Sequence, residues 1–152
     1  MSPEMDDHTA EELRQVLGSG SFLFLGVGNP ERGDDGIGPL VVSMLNTERK
    51  MDCGPVPENY TSVIRKANAN VIILIDAVDF GGKPGERILT AAENTGGMAV
   101  STHSLPLSIF SKLLPDSKVY LLGIQPGDFS SMSSAAKRSA EELADEINSI
   151  LL

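Results

Sequence analysis

Apolar residues fall along this chain in two patterns, and each predicts a different element. Phe22–Val27 (FLFLGV), Val71–Asp76 (VIILID) and Lys118–Ile124 (KVYLLGI) are nearly unbroken apolar runs of strand length. A continuous run, rather than an alternating one, marks a strand covered on both faces, as in a parallel sheet. Val71–Asp76 is the clearest, being continuous, mainly β-branched and ended by a carboxylate. Other segments carry their apolar residues at helical spacing. Leu13, Val16 and Leu17 follow Thr9 and Glu12, which have capping-box spacing, and Gly18 and Gly20 close that short helix. Pro39–Arg49 reads as a helix with Pro39 in its first turn. Thr61–Lys66 reads as a short helix, and Leu105–Leu114 as another ended by Pro115. From about Ser133 a long amphipathic helix places Ala136, Ala140, Leu143, Ala144, Ile147 and Leu151 on one face. Met51–Pro57 has the makings of a short strand weakened by two prolines and a glycine; Arg87–Thr90 reads as a short extended piece and Ala91–Thr102 as a loop.

Strands alternating with helices predict one α/β domain over residues 1–152, with residues 1–20 as an N-terminal extension carrying its own short helix. The expected architecture is a three-layer sandwich: a twisted, mainly parallel sheet with right-handed crossovers and helices on both faces. No repeat, low-complexity tract or linker interrupts it.

Composition narrows the partners more than the fold. A net charge of −9 argues against nucleic acid and anionic membrane surfaces, which call for clustered lysine and arginine. Aromatics are 5% and tryptophan is absent, so the core must be mainly aliphatic. The one cysteine, Cys53, has no base near it in sequence and suits a reducing compartment. The acidic start has no leader-like apolar core, and no run approaches the ~20 residues of a membrane span. The expected location is the cytoplasm.

The candidate chemistry lies where two strands end. In open α/β sheets ligands bind beyond the carboxyl ends of the strands, where strand order reverses. The first strand leads to Asp34 and Asp35, framed by Gly33 and Gly36; the third ends at Asp76, with Asp79 behind it. In a flavodoxin-like order these strands flank the switch point, so the acids converge. His103, just before a helix that should pack on the sheet, can reach the same edge, whereas His8 sits in an acidic, solvated segment. Two aspartates and a histidine suit a borderline divalent ion such as zinc, nickel or manganese. The plainer reading is that Asp34 or Asp35 caps the next helix, Asp76 ties a loop and His103 is a surface residue. A nucleotide site fits less well, because Gly26–Gly33 spells G-x-G-x-x-x-x-G rather than G-x-G-x-x-G and acids follow it.

Five blocks together resemble the [NiFe]-hydrogenase maturation endopeptidases: GVGNPERGDDGIGP (26–39), PEN (57–59), LIDAVDFGGKPGE (74–86), THSLPL (102–107) and LLGIQP (121–126). They occur in that family's order from Phe22 onward; the segment before Gly20 lies outside the resemblance. The resemblance implies a peptidase that removes the C-terminal extension of the hydrogenase large-subunit precursor once nickel has been inserted. It carries the metal-binding and catalytic roles onto Asp35, Asp76 and His103, the three residues that the strand-edge argument selects. Nickel would arrive with the precursor, and zinc, cadmium or manganese are further ions the site could take. Asn29, Asp34 and Gln125 form the expected substrate-binding set: the first two by shaping the loop, Gln125 from the end of its strand. Two other readings stay open: a metal-dependent hydrolase with another substrate, and a nickel checkpoint that binds the precursor without cutting it.

Overall fold

The protein is described by a computed structural model covering residues 7–96, 99, 100 and 106–152. In chain order its elements are α1 (Asp7–Leu17), β1 (Phe22–Val27), α2 (Ile37–Met44), β2 (Lys50–Gly54), α3 (Thr61–Lys66), β3 (Val71–Asp79), β4 (Arg87–Ala91), β5 (Ala99–Val100), α4 (Leu107–Lys112), β6 (Lys118–Ile124) and α5 (Ser134–Ile150). The strands are ordered β2-β1-β3-β6-β4, with the two-residue β5 paired antiparallel to the end of β3. β1, β2, β3 and β6 run parallel, and β4 closes the edge antiparallel to β6. This is the mainly parallel three-layer sandwich that the patterning predicts.

The continuous runs are buried because both sheet faces are covered. On one face, Phe24, Ile73 and Ile75 pack under α1, α2 and α5 through Leu13, Val41 and Leu143. On the other, Leu25, Leu74 and Leu121 pack under α3 and α4 through Ile64 and Phe110. β1 lies between β2 and β3, so the chain leaves it to one side and returns on the other: the switch point sits at the carboxyl ends of β1 and β3.

Several boundaries differ from the sequence reading, each for a tertiary reason. The helix expected over 39–49 stops at Met44, where Leu45 turns extended (φ −77°, ψ 135°) and the Lys50 ammonium caps the Val42 and Leu45 carbonyls. β3 runs on to Asp79, because β6 pairs as far as Ala77 and β5 pairs Val78 and Asp79. The loop expected over 91–102 holds a 3-10 turn, Ala92–Asn94, and β5. β4 is antiparallel because residues 80–86 are too few for a crossover, which takes a dozen or more.

Candidate functional site

β1 delivers the chain to the rim at Gly28, whose amide donates to the Gly54 carbonyl at the end of β2 (2.9 Å). Gly28 adopts φ +140°, a conformation closed to most other residues, and a Cβ there would collide with the Asp35 carbonyl. Beyond it the loop folds on itself. Asn29 Oδ1 accepts from the Glu31 amide (3.0 Å), and the Asn29 carbonyl accepts from Arg32 (3.0 Å). A 3-10 turn, Gly33–Gly36, then presents both acids and runs into α2.

The two adjacent acids are fully buried and face different partners. Asp35 turns back toward β1, where its Oδ2 accepts from the Asn29 amide (3.0 Å). Asp34 turns toward the segment that precedes α5. Its Oδ2 accepts from the Gly127 amide (2.7 Å), the Asp128 amide (2.9 Å) and the Ser133 hydroxyl (2.7 Å), and its Oδ1 from the Ser133 amide (2.6 Å). A carboxylate with no exposed surface and four donors is spent on architecture. Asp34 shapes the loop, as does Asn29.

Asp76 approaches from β3. It is fully buried, its Oδ1 accepts from the Ala77 amide (2.8 Å), and it lies one residue past Ile75, which pairs with Gly26. Strand alternation puts it on the face of Leu74 and Val78, the α3/α4 side. Its Oδ1 is 3.5 Å from where a Gly28 Cβ would stand, the same spot the Asp35 carbonyl crowds. The rim therefore brings the Asp35 main chain and the Asp76 carboxylate, 41 residues apart in sequence, around one glycine. His103 lies outside the described residues, as does the side chain of His8. Among the described residues no group of three His, Cys, Asp or Glu is arranged to hold a metal ion.

Gln125 sits at the same edge, 7% exposed, and its amide is engaged. Oε1 accepts from the Phe80 and Gly82 amides (both 3.0 Å) and Nε2 donates to Asp79 Oδ1 (3.1 Å). The role seen is to fold the Asp79–Gly82 turn. Asp79, exposed at the end of β3, has its carboxyl held below the usual range by the Gly81 amide first and Gln125 second. Cys53 is pushed up to about 12, by burial first and then by the Asp52 charge. A thiol so placed is not a nucleophile at neutral pH.

Ser133, Gly127 and Asp128 are site-shaping residues that sequence reasoning missed. They lie more than ninety positions from Asp34, and only the serine's place at the head of an amphipathic helix carried any signal.

Fold and rim define a class first: a doubly wound α/β protein with buried carboxylates at its switch point. Comparison with known proteins is more specific. The profile of HycI, hydrogenase maturation protease, matches residues 42–152. The hydrogenase 3 maturation protease of Escherichia coli K12 is 35% identical over 112 residues, covering 68% of this chain and 72% of that protein. The crystal structure of a [NiFe] hydrogenase maturation protease HycI from Thermococcus kodakarensis KOD1 superposes with a TM-score of 0.81 at 36% identity, covering 92% of this chain and 98% of that one. The solution structure of the endopeptidase HycI from Escherichia coli gives 0.74 at 29% identity, covering 85% and 90%. The chain belongs to the HycI family of hydrogenase maturation proteases.

Proposed function

We propose that this protein is an endopeptidase that removes the C-terminal extension of a [NiFe]-hydrogenase large-subunit precursor, and that it recognises nickel already seated in that precursor. The observation that carries the reading is that the Asp35 main chain and the Asp76 carboxylate, of two fully buried residues, converge on Gly28 at the switch point of a maturation-protease fold. Buried carboxylates at a ligand-binding rim are poor choices for stability and good ones for gripping a cation. His103 is the third member. In sequence it lies between Val100, which pairs with Val78, and α4, which begins at Leu107.

Two carboxylates and an imidazole form a mixed oxygen and nitrogen set that fits nickel, and would equally take zinc, cadmium or manganese. Nickel belongs to the substrate here. Asp35, Asp76 and His103 orient the precursor's metal site and so bring the segment to be cut to the rim. A Lewis-acidic ion at that point supplies polarisation of the scissile carbonyl or of the attacking water. A carboxylate in the cluster accepts the proton that the water loses, and the amine of the departing extension receives a proton as the peptide bond opens. No helix of the described residues is long and apolar enough to cross a membrane. The expected workplace is the cytoplasm, with the precursor as partner.

Asp35→Asn, Asp76→Asn and His103→Gln should each abolish cleavage of a nickel-loaded precursor while far-ultraviolet circular dichroism stays unchanged. Normal cleavage by any one of them removes that residue from the mechanism.

A further inference from the structure

The geometry points to Ser133 and Asp34 as positioning residues: together they form a latch that sets the direction of Asp35, and Ser133 acts on the reaction through it. This inference rests on the proposed function of Asp35, but the latch itself is testable without it.

A 3-10 turn has three residues per turn, so successive side chains leave its axis about 120° apart. Asp34 and Asp35 are neighbours on such a turn, and fixing one direction fixes the other. The turn is short: it is four residues long, its ends are bonded by Asp35 N to Arg32 O (3.1 Å) and Ile37 N to Asp34 O, and no side chain caps it. What holds it is Asp34. Three amides and one hydroxyl converge on that carboxylate, and the Asp34 amide donates back to the Asp128 carbonyl (2.8 Å). The segment around 128–131 passes so close to Gly33, at φ +55°, that a Cβ there would press on the Asp128 and Ser131 carbonyls.

Ser133 links this latch to a rigid element. Its hydroxyl donates to Asp34 Oδ2 and accepts from the Ala136 amide (3.2 Å), so one side chain both starts α5 and anchors the turn. α5 in turn is fixed to the sheet through Ala140, Leu143 and Ile147, all fully buried. The direction of Asp35 is thus referred to the longest helix of the fold. All four partners of Asp34 are donors, so an amide at position 34 would set one NH2 hydrogen against a donor. Asp34→Asn is therefore not conservative here.

The test uses Ser133→Ala, Ser133→Asp and Ser133→Thr in the full chain, since Asp34 variants risk losing the fold. Ser133→Asp keeps a good helix cap but opposes Asp34 with a like charge; Ser133→Thr keeps hydroxyl, cap and latch. The reporter is hydrogen exchange of the Asn29 amide, which donates to Asp35 Oδ2. The latch predicts at least ~10-fold faster Asn29 exchange in Ser133→Ala and Ser133→Asp, wild-type exchange in Ser133→Thr, and unchanged exchange at Leu74 and Leu121 in the sheet. On a nickel-loaded precursor, kcat should fall about 10- to 100-fold in the first two with KM within twofold, the size expected for a misplaced group. Unchanged Asn29 exchange in both overturns the latch whatever the activity. Slower cleavage that arises wholly in KM, or that Ser133→Thr fails to restore, overturns the positioning role. If the wild-type chain never cuts the precursor, the functional reading fails, and the exchange result still decides the latch.

Discussion

Adding one methyl group at Gly28 tests whether the two carboxylates are held by a backbone that only glycine can form. In Gly28→Ala the new Cβ runs into the Asp35 carbonyl and comes within 3.5 Å of Asp76 Oδ1. Backbone strain at φ +140° costs about 1–3 kcal/mol for a residue with a side chain. Relieving the overlap by moving the 28–36 loop costs about 1–3 kcal/mol more. The total is roughly 2–6 kcal/mol, at or below the low end of the 5–15 kcal/mol typical of a domain, so the protein should still fold. At 2–4 °C per kcal/mol for a chain of this size, Tm should drop by roughly 4–24 °C. Because the loop that must shift carries Asp35, a displacement of about 1 Å should lower kcat/KM on a nickel-loaded precursor by about 10²-fold. Urea unfolding followed by circular dichroism gives the stability, and timed cleavage gives the rate. A variant with wild-type urea midpoint and wild-type cleavage would show that Gly28 does not separate Asp35 from Asp76, and the geometry argued for the rim would be wrong.

Further outcomes follow from groups around the site. The Cys53 thiol is neutral in the folded chain up to about 12, against 9.0 for a free thiol, so between those values the unfolded chain binds fewer protons. Stability from this group is constant below pH 9 and falls as pH rises toward 12; Cys53→Ala should flatten that fall in urea titrations, and iodoacetamide at pH 8 should label Cys53 only after unfolding. Gln125→Ala removes one of the two hydrogen bonds on Asp79, so the Asp79 carboxyl should titrate nearer the ordinary range by NMR, and the Phe80 and Gly82 amides should exchange faster. An unmoved titration would mean that Gln125 does not fold the turn.

Legibility in the sequence followed how local the physics is. β1, α3 and β6 have the bounds their residues predict, because continuous apolar runs and short caps are local signals. The same signals put Asp35 and Asp76 on one rim, since strand ends and a switch point suffice for that. What the chain could not display was pairing at a distance. Nothing in GDDG says which acid turns toward Asn29 and which toward Ser133, and adjacent aspartates look alike until a turn points them apart. Gln125 was similarly ambiguous, because its partners, Phe80 and Gly82, belong to a turn some forty residues earlier. The antiparallel β4 was hidden because its neighbour β6 is made later in the chain. The family resemblance supplied what no spacing holds, the precursor and its nickel.

The most direct test is the mass of a [NiFe]-hydrogenase large-subunit precursor after incubation with this protein, measured with and without nickel inserted. The account predicts loss of the C-terminal extension from the loaded precursor, with the unloaded one left whole. An intact mass for the loaded precursor, or equal cleavage of both, would contradict it.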